Sequence, residues 1–444
     1  MREIVHVQLG RCGNNVGGKF WQVIADEHGL TPDGTFRGDS EVLLQRINVY
    51  FSEGPGYRFA PRAVLVDSDP ATASSSMSGP CGGMFKPDNF VSGRGSAANN
   101  WAKGYCTEGA ELAEATLDLV RAEAEACDLM QGIQMTRSLG GGTGSGTGGL
   151  LMGKFREEYP GRIVKCYSVA PSSETSDVAV EPYNAMLALR ASIECTDQCF
   201  WMDNHALHRI CSRVLGIATP SHADANHLIA ACMSGVTACA RFPGQPSTDL
   251  GKLGVNMVPF PRLHFFVPGH APLTSRSSAR YKVLSVPELT RQLFEPSNAF
   301  AACDPAPAGA KTLTAAAIFR GAASRKRVDE QTSKLRDKSG GRFVEWIPGN
   351  VQTAICEIPP RGVSTSATLL ANTSAIRAPI ERLSTAFDGM FEKRAYVHWY
   401  TAEGMDEAEF LETRGAVRDL ISEYREAATA ATDNEQRSDN LRGE

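Results

Sequence analysis

Between Gly140 and Gly149, seven of ten residues are glycine, and Thr143 and Ser145 stand among them as hydroxyl donors. Backbone N–H groups in such a run can close around a phosphate, because no Cβ holds the oxygens away and φ is unrestricted. That chemistry needs a strand before the loop and a helix after it, so that the helix N-terminus adds its dipole. Both are legible: 132–138 alternates loosely as a short strand, and 150–159 has helical apolar spacing. A flexible linker is the alternative, but linkers rarely lie between a buried-looking strand and a helix. The run is not a P-loop, since Gly149 is followed by Leu150 and the first lysine is Lys154. A dinucleotide fingerprint can be forced on Gly144-x-Gly146-x-x-Gly149. The next strand, 162–169, then ends in Ala170-Pro171 where a ribose-binding acid is needed.

Other stretches must position this loop. A buried first strand over 4–9 runs into Gly10-Arg11-Cys12-Gly13-Asn14-Asn15, and a helix is expected from about 16 to 27. Strand 63–66 ends in Asp67-Ser68-Asp69-Pro70, whose carboxylates can hold a hydrated Mg²⁺ or simply cap a turn. A small-residue loop, 96–100, precedes a helix over 108–126, and strand 162–169 leads into Ser172 to Asp177 with Glu181 beyond. In an open α/β sheet, ligands sit outside the carboxyl ends of the strands, where these loops would meet. Ser221-x-x-Asp224 reads as a capping box opening a helix over 222–242. Leu228, Ile229, Cys232, Val236 and Cys239 give that helix its apolar face until Phe242-Pro243-Gly244 stops it. Asn226, in its first turn, can face a base or solvent.

At 444 residues the chain predicts two or three domains. Hydrophobic content of 42%, 21% charged residues and a net charge of −5 fit a globular protein and give no reason to expect nucleic acid. No stretch is apolar enough for a membrane span, and no secretory signal is read before the first strand. Twelve cysteines lack metal-ligand spacing, Cys195-x-x-x-Cys199 being the nearest approach, so reduced thiols are expected. Residues 30–60 read as a surface insertion. Further strands are expected at 262–267, 312–319, 342–347 and 351–358, with a helix at 286–293 and no catalytic constellation among them. Helices at 378–394 and 405–425 precede a polar stretch, 427–444, that reads as disordered.

These residues carry a resemblance along nearly the whole chain to the β-tubulins. It rests on Met1-Arg2-Glu3-Ile4-Val5-His6, on Asn99-Asn100-Trp101-Ala102-Lys103-Gly104 and on Gly140 to Gly146. It continues through Asn256-Met257-Val258-Pro259-Phe260-Pro261-Arg262-Leu263-His264-Phe265-Phe266 and the run from His398 to Glu407. The resemblance implies an α/β fold: a Rossmann-like GTP-binding domain (1–205), an intermediate domain with the central helix (206–380), C-terminal helices (381–426) and a tail (427–444). It implies GTP or GDP with Mg²⁺, pairing with α-tubulin, assembly into cytoplasmic microtubules and contact with microtubule-associated proteins. Ser138, Gly141, Gly142, Thr143 and Gly144 would hold phosphates beside Arg11, Cys12 and Asn99, with Asp69 linked to the metal. Asp177 would approach the ribose, while Asn204, His222 and Asn226 would meet the guanine. The resemblance implies that no catalytic residue lies in this chain: the family's α subunit presents a glutamate to its neighbour's nucleotide where this chain has Lys252.

Departures from the family gather at the phosphates. Arg11 replaces a glutamine, Asp69 a glutamate, and Ala71, Ser96 and Ala98 replace glycines; His222 stands for a tyrosine. Ser247 replaces an asparagine, the segment around 305–311 is two residues longer, and the tail has few acids, which implies weak recruitment through it. A β-type GTPase subunit is the leading expectation. A divergent, static paralog with slow hydrolysis is the alternative, and an NAD-dependent oxidoreductase a remote one.

Overall fold

The computed structural model describes residues 2–172, 176–245, 250–274, 284–303, 309–338 and 341–430. Eleven strands form one sheet, in the order Phe90–Ser92, Ala63–Asp67, Glu3–Leu9, Met130–Ser138, Ile163–Ala170, Gln198–Asp203, Phe265–Ala271, Thr365–Thr373, Thr312–Gly321, Val351–Cys356 and Gly244–Gln245. Every pairing from Phe90–Ser92 through Gln198–Asp203 to Phe265 is parallel. Beyond it, Thr365–Thr373 pairs antiparallel with both neighbours. All seven positions of Glu3–Leu9 are buried, as a parallel strand covered on both faces requires. Helices Gly10–Glu27 and His222–Arg241 pack on one face through Phe20, Trp21, Ile229 and Cys232. Glu108–Glu125 and Gly148–Glu158 cover the other face through Leu112, Val120, Leu151 and Phe155. The α/β class read from the sequence is the class observed.

The central helix is as read. Ser221 Oγ accepts from the Asp224 amide while the Asp224 carboxylate accepts from the Ser221 amide, so both halves of the capping box are made. Other readings need correction. The first helix begins at Gly10, not near residue 16, because Gly10 takes φ +67° and turns the chain from strand to helix in one residue. Arg11 and Cys12 are therefore in its first turn. The stretch 30–60 is not all surface: Tyr50 and Phe51 are fully buried, and Phe51–Gly54 pairs with Arg58–Pro61. The strand expected at 342–347 reduces to one bridge from Phe343 to Thr312, while Thr365–Thr373, central to the second half, gave no recognised signal. The last helix, Glu407–Thr429, carries Ala427 and Ala428 into the core where disorder was read. Residues 173–175, Ser247, 304–308 and 431–444 lie outside the described residues. Among the described residues no helix is long and apolar enough to cross a membrane.

Candidate nucleotide site at the carboxyl ends of the strands

Four strand ends meet at the glycine loop. A Cβ on Gly10 would lie 3.2 Å from the Gly144 nitrogen, so the turn into the first helix rests on the loop itself. From the next strand, Ser68 Oγ sits 2.6 Å from Thr143 Oγ1, and the same hydroxyl accepts from the Ala97 amide at 3.3 Å. The loop from Ser96 to Asn100 closes over Gly142, where a Cβ would stand 2.8 Å from Ala97 O and 2.9 Å from Asn100 N. Only glycine fits there. The Ser145 hydroxyl turns back to the Gly141 carbonyl, and Thr143–Thr147 is a π-helical turn leading into Gly148–Glu158. Ser138, Gly141 and Thr143 are half-buried, whereas Gly142 and Gly144 are buried.

The two carboxylates after strand Ala63–Asp67 divide their work. Asp67 is buried and accepts from the Asp69 amide at 3.3 Å, and its Oδ2 meets no partner. Burial raises its pKa. Asp69 is exposed and caps helix Pro70–Met77, accepting from the Ala71 amide at 3.0 Å. Of the two roles read from the sequence, the structure makes the cap, through Asp69 Oδ1; a hydrated cation would have to use the other oxygen of this exposed carboxylate. Among the described residues no three His, Cys, Asp or Glu side chains cluster as a metal site. A cation here fits only as Mg²⁺ commonly binds, on one carboxylate with water and phosphate oxygens. Cys12, also in this region, has its thiol pushed up to about 11 by burial.

Of the glycine replacements, one sits in the left-handed region: Ala98 has φ +47°, followed by Asn99 at +56°. Ala71 lies in the first turn of a helix and Ser96 is not in that region.

On the central-helix side, His222 and Asn226 line a cavity of about 430 Å³ with Asn14, Asn15, Ser75, Ser76 and Cys81. His208 stands near it, its ring centroid 6.2 Å from that of His222. Asn204 opens the same short helix one turn earlier, on the same face as His208. Asp177 lines a second cavity, of about 540 Å³, with Ser176, Glu181, Asp203 and Arg382; Pro171 and Glu181 of its wall border Gly140 at the start of the glycine loop, 3.1 and 3.2 Å from where a Cβ would stand.

Lys252 is at the opposite end of the parallel strands from the glycine loop. It lines a cavity of about 490 Å³ with Arg2, Leu129, Met130, Gly161 and Arg162, all at the amino ends of strands. The nine residues of Met130–Ser138 separate it from the loop, a span of roughly 25–30 Å at about 3.3 Å per residue.

Sequence reading missed three residues. Ser68 stands between two carboxylates whose chemistry is the stronger signal, and Asn15 lies in a run that reads as a turn. Asn184, in helix Glu181–Cys195, was not singled out. Its side-chain amide donates to Asn99 O at 2.6 Å and Gly140 O at 2.8 Å, and its Oδ1 accepts from the Trp101 amide at 2.9 Å. A lone asparagine among Ala185, Met186 and Leu187, on a helix buried at those positions, was the available signal.

Comparison with known families matches residues 3–212 to the Tubulin/FtsZ family GTPase domain and residues 261–385 to the tubulin C-terminal domain. The convergent loops at 10, 68, 97 and 140–144 all fall within the first match. With a GTPase domain that binds GTP and GDP and a tubulin C-terminal domain behind it, the chain belongs to the tubulin/FtsZ family of cytoskeletal GTP-binding proteins.

Proposed function

We propose that this chain is a β-type tubulin subunit that binds GTP, pairs with α-tubulin and polymerises into cytoplasmic microtubules. The observation that carries the reading is the separation of the glycine loop from Lys252 across the length of the strands. A group at the Lys252 position can reach only the nucleotide of a neighbour stacked end to end. In the resemblance an α subunit presents a glutamate there, and a lysine cannot take the proton of an attacking water as that carboxylate would. This chain therefore leaves its α partner's GTP intact, and its own GTP is hydrolysed when the next α subunit supplies the acid.

Within the chain, the amides of Gly141 to Gly144 and the hydroxyls of Ser138 and Thr143 hold phosphates, with Ser68 fixing the Thr143 side chain. Arg11 and Asn99 flank them. Mg²⁺ would sit on the phosphates, water and the open oxygen of Asp69, where it supplies neutralising charge. His222, Asn226 and Asn204 meet the guanine, and Asp177 reaches toward the ribose.

A second reading, a static β-like paralog with slow turnover, is favoured by two features. Ala98 holds a left-handed conformation that its family equivalent meets with glycine, and Asp69 is already engaged as a helix cap. The identity and amount of nucleotide on the chain purified with α-tubulin, before and after assembly, separates the readings. Near-stoichiometric GTP converted to GDP only in pelletable polymer supports the working subunit. An empty or permanently GTP-loaded site supports the static one. Failure to co-purify with α-tubulin overturns both.

A further inference from the structure

In the middle of the parallel sheet, cross-strand register makes neighbours of His6 and Gln134, of Gln134 and Lys165, and of Lys165 and Gln198. All four are buried. Register partners point to the same face, here the one covered by the first and central helices. A polar row in such a position is costly unless every group is paired. This one is not. Lys165 Nζ makes no hydrogen bond, and neither do His6 Nδ1, Gln134 Nε2 or the Tyr167 hydroxyl. The ammonium position is flanked by two rings, 5.0 Å from the Tyr167 centroid and 5.5 Å from that of Phe200.

The groups facing Lys165 are identifiable element by element. The first strand supplies His6, and strand Met130–Ser138 supplies Gln134, whose Oε1 accepts from the Tyr50 hydroxyl at 2.8 Å. Strand Gln198–Asp203 supplies Gln198 and Phe200, and the central helix supplies Cys232. None is a carboxylate, and Lys165 Nζ pairs with no acidic side chain among the described residues. Burial lowers His6 to about 3 and raises Cys232 to about 12 and both tyrosines upward. Lys165, lowered by burial to about 7, is the one member whose proton changes near neutrality.

We propose that Lys165 is a proton-operated switch beneath the central helix. As a neutral amine it packs among the rings; as an ammonium it puts an unpaired charge between the sheet and the Cys232 turn, and the helix loosens. Two ring faces return only part of the hydration that a buried cation loses. The helix leads from His222 and Asn226 at the candidate site to Arg241 in the core. A loosened helix therefore reaches both halves of the molecule. This inference does not depend on the β-type reading.

The sign follows from linkage. A lysine whose folded pKa lies below its unfolded value leaves the unfolded chain with the extra proton between the two. Stability then rises with pH above about 7 and is level below it. The test uses the full chain and its Lys165→Met variant, which keeps the length of the side chain and removes the charge. Denaturant unfolding and hydrogen exchange of amides 222–241 are followed from pH 6 to 9. The wild type's folding constant, relative to the variant's, should climb about tenfold per pH unit above neutrality, with helix protection rising in parallel. Superimposable pH profiles overturn the proposal. If the variant does not fold, ¹³C-lysine NMR of the wild type decides: an Nζ titration near neutrality supports the switch, and one in the ordinary lysine range overturns it.

Discussion

The Tyr400 hydroxyl donates to Asn184 Oδ1 at 2.7 Å, and through that one asparagine the C-terminal helices are tied to the glycine loop. Tyr400 lies in Val397–Thr401, while the other side of Asn184 holds Gly140 and Asn99. Asn100 reinforces the tie by donating to the Trp399 carbonyl at 2.9 Å. Exposed Trp399 and Tyr396 are thus a few bonds from the phosphate loops.

Removing Asn184 strands several buried groups at once. Asn184→Ala should cost about 3 kcal/mol or more, since each unpaired buried group loses roughly 1–3 kcal/mol, and should speed nucleotide release. Tyr400→Phe removes one donor, so it should cost about 1 kcal/mol and leave release near wild type. Denaturant unfolding and a nucleotide off-rate measure both. Unchanged release in Asn184→Ala would mean the asparagine holds structure only.

Ala98 offers a reversal. Left-handed backbone costs a Cβ-bearing residue roughly 1–2 kcal/mol, so Ala98→Gly should stabilise by up to about 1 kcal/mol once glycine's extra chain entropy is subtracted. Ala71→Gly should instead destabilise, because Ala71 is helical. Thermal unfolding of the two variants side by side would show whether φ or family likeness governs the position.

Glu27 is the charge that holds three elements together. It accepts from Arg241 and Arg320, each at 2.7 Å, and from Ser234 at 2.7 and 2.8 Å. Burial alone would raise its carboxyl, but the two guanidiniums outweigh burial and hold it at about 2. The folded pKa is depressed, so this stability is fully present above about 4.5 and is lost as pH falls toward about 2. Glu27→Ala, which leaves two buried cations unpaired, should cost about 3–5 kcal/mol. It should also flatten stability between pH 3 and 5 in denaturant titrations.

Arg11 is exposed in the first turn of its helix, where the dipole disfavours a cation unless an anion is near. If its guanidinium pairs with phosphate, chelating Mg²⁺ should release less nucleotide from the wild type than from Arg11→Gln. Equal release on chelation, read by filtration of bound GTP, would remove Arg11 from the site.

The sequence by itself determined what contiguous residues encode. Glycine density set the loop, apolar periodicity set most strands and helices, and Ser221 with Asp224 set the start of the central helix, because each rests on spacing or turn chemistry within a few residues. Phase errors came where one residue did the work of several, as Gly10 does by turning directly into a helix. Tertiary structure alone decided the rest. The meeting of Ser68 with Thr143, the left-handed Ala98, the bracing of two loops by Asn184 and the lining up of His6, Gln134 and Lys165 all depend on segments distant in the chain. So does the placing of Lys252 at the far end of the strands from the glycine loop. Strand pairing brings such residues together or sets them apart, and no local pattern records its register.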